Sequence, residues 1–185
     1  AFQSKASNLA PGQVDTNAGW DLFLYDVPGG QNALVSHVAA ASATASSNAM
    51  AGTPDAFALS RDGGTVVFYD YAPDLVSPPL SASFSNIFRY RASTGAVQLV
   101  SHQAGNAGAE GNGYGAAPLV SADGLTVAYG STASNLVTGV ADTVADGNQP
   151  YTIVLAAAVS GDPLYNGLNP PDVAGLNQDG LLQPT

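Results

Sequence analysis

Apolar residues along this chain come in short runs, each closed by Gly, Asp, Asn, Ser or Pro. Ala56-Phe57-Ala58-Leu59 runs into Ser60-Arg61-Asp62-Gly63. Asp-Gly between two apolar runs is the strongest short hairpin signal, because both turn positions tolerate positive φ. Thr65–Tyr69 returns as a second strand. Asn86–Arg91, where Ile87, Arg89 and Arg91 alternate with Phe88 and Tyr90, supplies a third, and Ala92-Ser93-Thr94-Gly95 reverses it into Val97–Ser101. The same pattern predicts strands over Leu125–Gly130 and Tyr151–Leu155. With the first strand at Ala56–Leu59, the expectation is an all-β, antiparallel protein with no helix beyond a turn or two.

The pattern repeats. Ser60-Arg61-Asp62-Gly63-Gly64-Thr65-Val66-Val67-Phe68-Tyr69 returns as Ser121-Ala122-Asp123-Gly124-Leu125-Thr126-Val127-Ala128-Tyr129-Gly130, an offset of 61 (121 − 60). Three copies of another segment begin at Lys5, Tyr71 and Thr132; their leucines, Leu9, Leu75 and Leu136, lie 66 and then 61 residues apart. Asp21–Asp26 through Leu34-Val35-Ser36-His37 matches Asn86–Arg91 through Leu99-Val100-Ser101-His102, at an offset of 65 (86 − 21). The third copy of this block is reduced to Tyr151–Leu155. Four antiparallel strands per repeated unit describe a β-propeller blade.

These motifs resemble the TolB-like, WD-repeat-like family of propeller repeats, whose blades carry a Ser-x-Asp-Gly turn followed by an apolar strand. The looser group most similar to this chain adds an Ala-Ser-Asn-Leu-Val segment, here Ala133–Val137, and an Asp-Thr-Asn loop before the third strand, here Asp15-Thr16-Asn17. The resemblance spans residues 1–155 and departs at the Pro-rich loop Ser77–Phe84 and after Val159. It implies the fold and leaves the activity open, since propellers host many unrelated functions.

The expected organisation is a partial first blade with a low-complexity loop over 1–55, a second blade over 56–115, a third, degraded blade over 116–160, and a Pro/Gly-rich extended tail over 161–185. Ala39–Ala51, almost all Ala, Ser, Thr and Asn, reads as too polar to pack and so as a flexible connection. Ala1-Phe2 aligns with Val67-Phe68, inside a second strand. The blades present are therefore expected to form a partial or open propeller, completed by missing blades of a longer parent or by other protein chains, since open strand edges invite pairing.

Charge sharpens the picture. Only 10% of the 185 residues are charged, and 14 acids, all Asp except Glu110, face Lys5, Arg61, Arg89 and Arg91 for a net charge of −10. Four scattered cations cannot displace counterions from a phosphate backbone, so nucleic acid is not an expected partner. Anionic membrane surfaces are disfavoured in the same way, and the longest apolar run, Tyr151–Val159, is far short of a membrane span. No cysteine is present, which removes disulfides, thiolate nucleophiles and Cys-based metal sites. An acidic, charge-poor surface suits an extracellular, cell-surface or periplasmic location.

Candidate chemistry is sparse. Ser60 and Ser121 precede Asp-Gly turns without a nucleophile elbow around them, and no pair of carboxylates or triad stands out, so the chain reads as non-catalytic. A hydrolase with its site on the propeller face, carried by Asp62 or Asp123, is the weaker alternative. His37 and His102 occupy equivalent repeat positions, which argues for architecture rather than a shared metal. Asp15-x-Asn17-x-x-x-Asp21 places oxygen ligands along a Gly-containing loop, the arrangement calcium takes, with turn capping as the competing role. Asp142, Asp146 and Asn148 echo it in the third repeat, where the second offers Ser83, Ser85 and Asn86. Trp20, Tyr114 and Tyr165 lie in turn-rich segments suited to a sugar- or peptide-binding surface. The expected role is a structural or interaction module; an accessory subunit of a larger, membrane-associated assembly, held by its extended tail, is the alternative.

Overall fold

The computed structural model describes residues 1–48, 52–53 and 55–138, and the backbone of 152–157. The chain is all-β. Its strands in order are β1 (Phe2–Ser4), β2 (Asp21–Asp26), β3 (Gln31–Leu34), β4 (His37–Val38), β5 (Ala41–Ala45), β6 (Phe57–Leu59), β7 (Thr65–Asp70), β8 (Asn86–Arg91), β9 (Ala96–Leu99), β10 (His102–Gln103), β11 (Asn106–Glu110), β12 (Gly115–Val120), β13 (Thr126–Ser131) and β14 (Thr152–Ala157). Among the described residues the only helical element is a single 3-10 turn at Pro73–Leu75, and no helix is long and apolar enough to cross a membrane.

Three antiparallel sheets carry the architecture, in the orders β1-β2-β3, β6-β7-β8-β9 and β12-β13-β14. Hairpins β4-β5 and β10-β11 lie between them in sequence. The sequence repeat is a repeat of register. Phe23 pairs with Leu34 as Phe88 pairs with Leu99, and Ala58 pairs with Val67 as Leu119 pairs with Ala128. β14 takes beside β13 the place that β8 takes beside β7, so the degraded third copy still supplies its strand. Phe2 stacks on its cross-strand partner Phe23 at 5.6 Å between ring centres, and Phe68 on Phe88 at the same 5.6 Å. In every sheet the connection from the second-strand position to the third leaves from the same end, where Ser4, Asp70 and Ser131 close β1, β7 and β13.

Alternation along the strands decides which neighbour each side chain meets. Val66 and Phe68 of β7 pack with Leu22, Val35, Leu75 and Phe88, a core that joins the first two sheets. Val67, between them in sequence, points the other way and packs with Ile87, Val100, Val127 and Tyr129, which joins the second sheet to the third. The middle sheet is thus covered on both faces. That is why β7 reads as a nearly unbroken apolar run over Val66–Tyr69, where a half-exposed strand would alternate.

Two turns hold the hairpins in place. The Ser60 hydroxyl donates to Asp62 at 2.5 Å and accepts the Thr65 amide at 2.9 Å, while Asp62 accepts the Gly64 amide at 3.0 Å. Ser121, Asp123, Thr126 and Leu125 repeat all three bonds at 2.5, 2.9 and 3.0 Å. The hydroxyl bond, backed by the amide, holds each exposed Asp carboxyl below its ordinary range. Gly63 and Gly124 supply the positive φ at 74° and 71°. The two are not equivalent, because the Arg61 amide bonds the Ala122 carbonyl and brings the turns together. A Cβ at Gly63 meets nothing within 4 Å, whereas one at Gly124 would lie 2.5 Å from Thr65 Oγ1. Gly63→Ala should therefore cost about 1 kcal/mol of left-handed strain and Gly124→Ala measurably more. Urea midpoints of the two variants check the order, and equal losses would contradict the contact between the turns.

One stretch differs from the sequence expectation. Within Ala39–Ala51, read as a flexible connection, residues 41–45 form β5, pair with β4 and make an isolated bridge from Thr44 to Val14. Ala45 and Ser46 are buried. Small side chains leave room for the backbone ladder to be covered, so pairing compensates for the missing apolar bulk.

A candidate polar site at the joint of the first two sheets

Asp15, Asn17 and Asp21 lie together, with divided roles. Asp15 Oδ1 accepts the amides of Asn17 and Ala18 at 3.1 and 3.2 Å, and Asn17 Oδ1 accepts the Gly19 amide at 2.6 Å, so both cap the loop before β2. Asn17 turns its amide nitrogen inward, donating to Asp21 Oδ1 at 3.3 Å and to the Ser46 carbonyl at 3.0 Å. Of the three, Asp21 alone is buried, and its Oδ2 has no hydrogen-bond partner. Burial raises its pKa, against the opposing bonds from Asn17 and Ser36.

The second sheet brings a further buried acid. Asp70, the last residue of β7, is 1% exposed. It lies on the side of its strand that carries Val66 and Phe68 and so faces the first sheet. Its Oδ1 accepts the Ala72 amide at 3.0 Å, and its Oδ2, like that of Asp21, has no partner. Burial pushes its pKa up to about 7, and the charges of Asp21 and Asp74 push in the same direction. Asp74, in the 3-10 turn, accepts the Ser47 amide with both carboxylate oxygens, at 3.1 and 3.0 Å, and its carbonyl accepts the Ala39 amide at 2.9 Å.

The repeat shows what the frame needs at these positions. Where the second sheet has Asp70, the first has Ser4 and the third Ser131, and each of those hydroxyls accepts the amide two residues on, at 3.1 Å in both. Where Asp74 accepts the Ser47 amide, Asn135 accepts the Asn112 amide at 2.9 Å, and the Asn135 carbonyl accepts the Ala104 amide at 2.9 Å. In the first sheet the Ser36 hydroxyl accepts the Leu22 amide at 3.0 Å and donates to Asp21 at 3.2 Å. In the second, Ser101 accepts the Ile87 amide at 2.9 Å and donates to Asn86 at 2.9 Å. Neutral Asn86, Ser131 and Asn135 thus make the same architectural bonds as Asp21, Asp70 and Asp74.

Against known proteins, the chain matches no family model and no curated protein.

Among the described residues no three acid, imidazole or thiol groups form a ready-made metal cage. His37 is buried, with its ring nitrogens 2.9 Å from the carbonyls of Val38 and Gly95, while half-buried His102 keeps only the first of these contacts, to Gln103 at 3.0 Å. The two histidines do not meet each other through any of these bonds. Ser60 and Ser121 spend their hydroxyls in the turns described above. Tyr114 packs edge-on against Phe84 at 5.2 Å and Tyr71 at 6.5 Å, and half of Tyr114 stays exposed. Lys5 stands 5.4 Å over the Trp20 ring. Asp142, Asp146, Asn148, Tyr165 and the tail 161–185 lie outside the described residues.

Sequence reading missed Asp70 and Asp74. The signal was present in the three aligned copies, where Asn8, Asp74 and Asn135 share one column and the acid is the exception.

Proposed function

We propose that this chain is a run of β-propeller blades of TolB-like type, serving as a non-catalytic scaffold and interaction module of a secreted or cell-surface protein. The observation that carries this reading is the recurrence of one unit of antiparallel strands in one register, with the same Ser-Asp-Gly turn and the same Ser-to-amide lock. Sheets that share cores with their neighbours on both faces are how repeat proteins and propellers bury apolar surface. The partners that fit are other protein chains or further blades, and the half-exposed Tyr71 and Tyr114 offer aromatic contact area beside the joint of the second and third sheets. An acidic, charge-poor composition suits an extracellular or periplasmic setting.

The non-catalytic reading rests on the engagement of Ser60, Ser121, Asp62 and Asp123 in turn bonds. A panel of ester, glycoside and phosphate substrates should give no turnover above buffer with the purified chain. Turnover that Asp62→Asn or Asp123→Asn abolishes would replace it with the hydrolase alternative.

A further inference from the structure

Asn112 stands before Gly113 in the loop that enters β12, and its side chain is an addition to a main-chain lock. The Asn112 amide donates to Asn135 Oδ1 at 2.9 Å, its Nδ2 donates to Ser134 Oγ at 2.9 Å, and its Oδ1 accepts the Ser134 amide at 2.8 Å. These three bonds tie the loop entering β12 to the loop leaving β13. At the joint of the first two sheets Ser47 gives its amide to Asp74 as Asn112 gives its own to Asn135. The frame therefore asks for the main-chain bond and not for an asparagine. Asparagine followed by glycine carries a chemistry that serine does not, because a following residue with no side chain leaves its amide nitrogen unhindered beside the carboxamide.

We propose that Asn112-Gly113 is a spontaneous deamidation site, gated by the opening of this lock. The Gly113 amide nitrogen, its proton taken by solvent base, attacks Asn112 Cγ. A new N–C bond forms, the Cγ–Nδ2 bond breaks, and ammonia leaves with a proton returned by solvent. Water then opens the resulting succinimide at either carbonyl, which gives aspartate or isoaspartate. Asn112 is exposed, so water has access, but Cγ can swing onto Gly113 only when Ser134 lets go.

The two products act differently on the fold. Aspartate keeps an oxygen for the Ser134 amide, and the Ser134 hydroxyl turns from accepting to donating. Isoaspartate routes the main chain through Cβ and Cγ, one carbon longer, where there is no room. A Cβ on Gly113 would already lie 2.5 Å from Ala133 N and 2.7 Å from Thr132 C. Gly113 must shift, and with it Tyr114, whose amide donates to Thr132 Oγ1 at 2.9 Å and whose carbonyl accepts the Thr132 amide at 3.0 Å. The isoaspartyl product thus loosens the entry to the third sheet.

The test holds the full chain at pH 8, below its melting temperature, and counts product at Asn112 by peptide mapping, where each conversion adds one mass unit. The same count in urea gives the rate of the unlocked sequence. The folded chain should react roughly a hundredfold more slowly, since three bonds must open and each is worth about fivefold. Ser134→Ala removes one of them and should raise the folded rate about fivefold. Gly63→Ala lowers stability at the opposite end of the strands and should leave that rate at the parent's value. A folded rate equal to that in urea, no acceleration in Ser134→Ala, or equal acceleration in Gly63→Ala would each overturn the gate. Asn112→Asp should melt with the parent, whereas the isoaspartyl product, isolated by chromatography, should melt roughly 4–12 °C lower for two or three lost bonds. Equal melting of the two would overturn the loosening.

Discussion

Replacing Phe88 with alanine should destabilise the chain by about 3–5 kcal/mol, the range for deleting a fully buried aromatic. Phe88 has no exposed surface, stacks on Phe68 at 5.6 Å and belongs to the core shared by the first two sheets. Against a total stability of roughly 5–15 kcal/mol, that is a loss of at least a fifth and as much as all of it. The expected fall in Tm is roughly 6–20 °C. Phe2→Ala removes the first-sheet counterpart of Phe68, the ring on which Phe88 stacks; its side chain is only half-buried, and its loss should cost clearly less. Urea titrations of the two variants measure the difference. Equal losses would mean that the middle sheet gains nothing from being covered on both faces.

The second large effect concerns pH. Asp70 should make the fold less stable as pH rises from about 4 to about 7. The folded state keeps the proton up to about 7, whereas the unfolded chain gives it up near the ordinary value of 3.8. Between those limits the folded state binds more protons, so stability falls with rising pH, and above the upper limit the loss levels off. A shift of about three pH units corresponds to about 4 kcal/mol. Asp21 moves in the same direction, while Asp62 and Asp123, held low by their turns, act in the opposite sense and only below about pH 4. Asp70→Asn should remove most of the loss between pH 5 and pH 8 and be the more stable protein at pH 8. If the variant loses as much as its parent over that interval, the buried carboxyl is not its source.

The frame was legible in the sequence because strands and turns are local. Ser-x-Asp-Gly followed by an apolar run identifies a hairpin whatever surrounds it, and Asn86–Arg91 forms β8 with the same ends the alternation suggests. The repeat offset then carried the register from one sheet to the next. What local pattern could not show was contact between units. The β5 strand looked like low-complexity filler because its stability comes from pairing with β4 and from Val14, 30 residues back. The site was half-legible for the same reason. Asp15, Asn17 and Asp21 are close in sequence and were visible as a cluster, whereas Asp70 is a buried acid only because the second sheet packs on the first. Its burial is a property of the joint, and no window around Tyr69-Asp70-Tyr71 encodes it.

The connections that leave Ser4, Asp70 and Ser131 cover residues 5–20, 71–85 and 132–151, and no two have the same length. The strands on either side keep one register in all three units. Closing a longer loop costs only a logarithmic entropy term, so the ladders do not sense what is spliced into these spans beyond their ends. This end of the molecule is therefore the natural place to graft foreign peptide. A sequence inserted within 78–84 would be displayed beside Tyr71 and Tyr114 while the sheets beneath it stayed as they are.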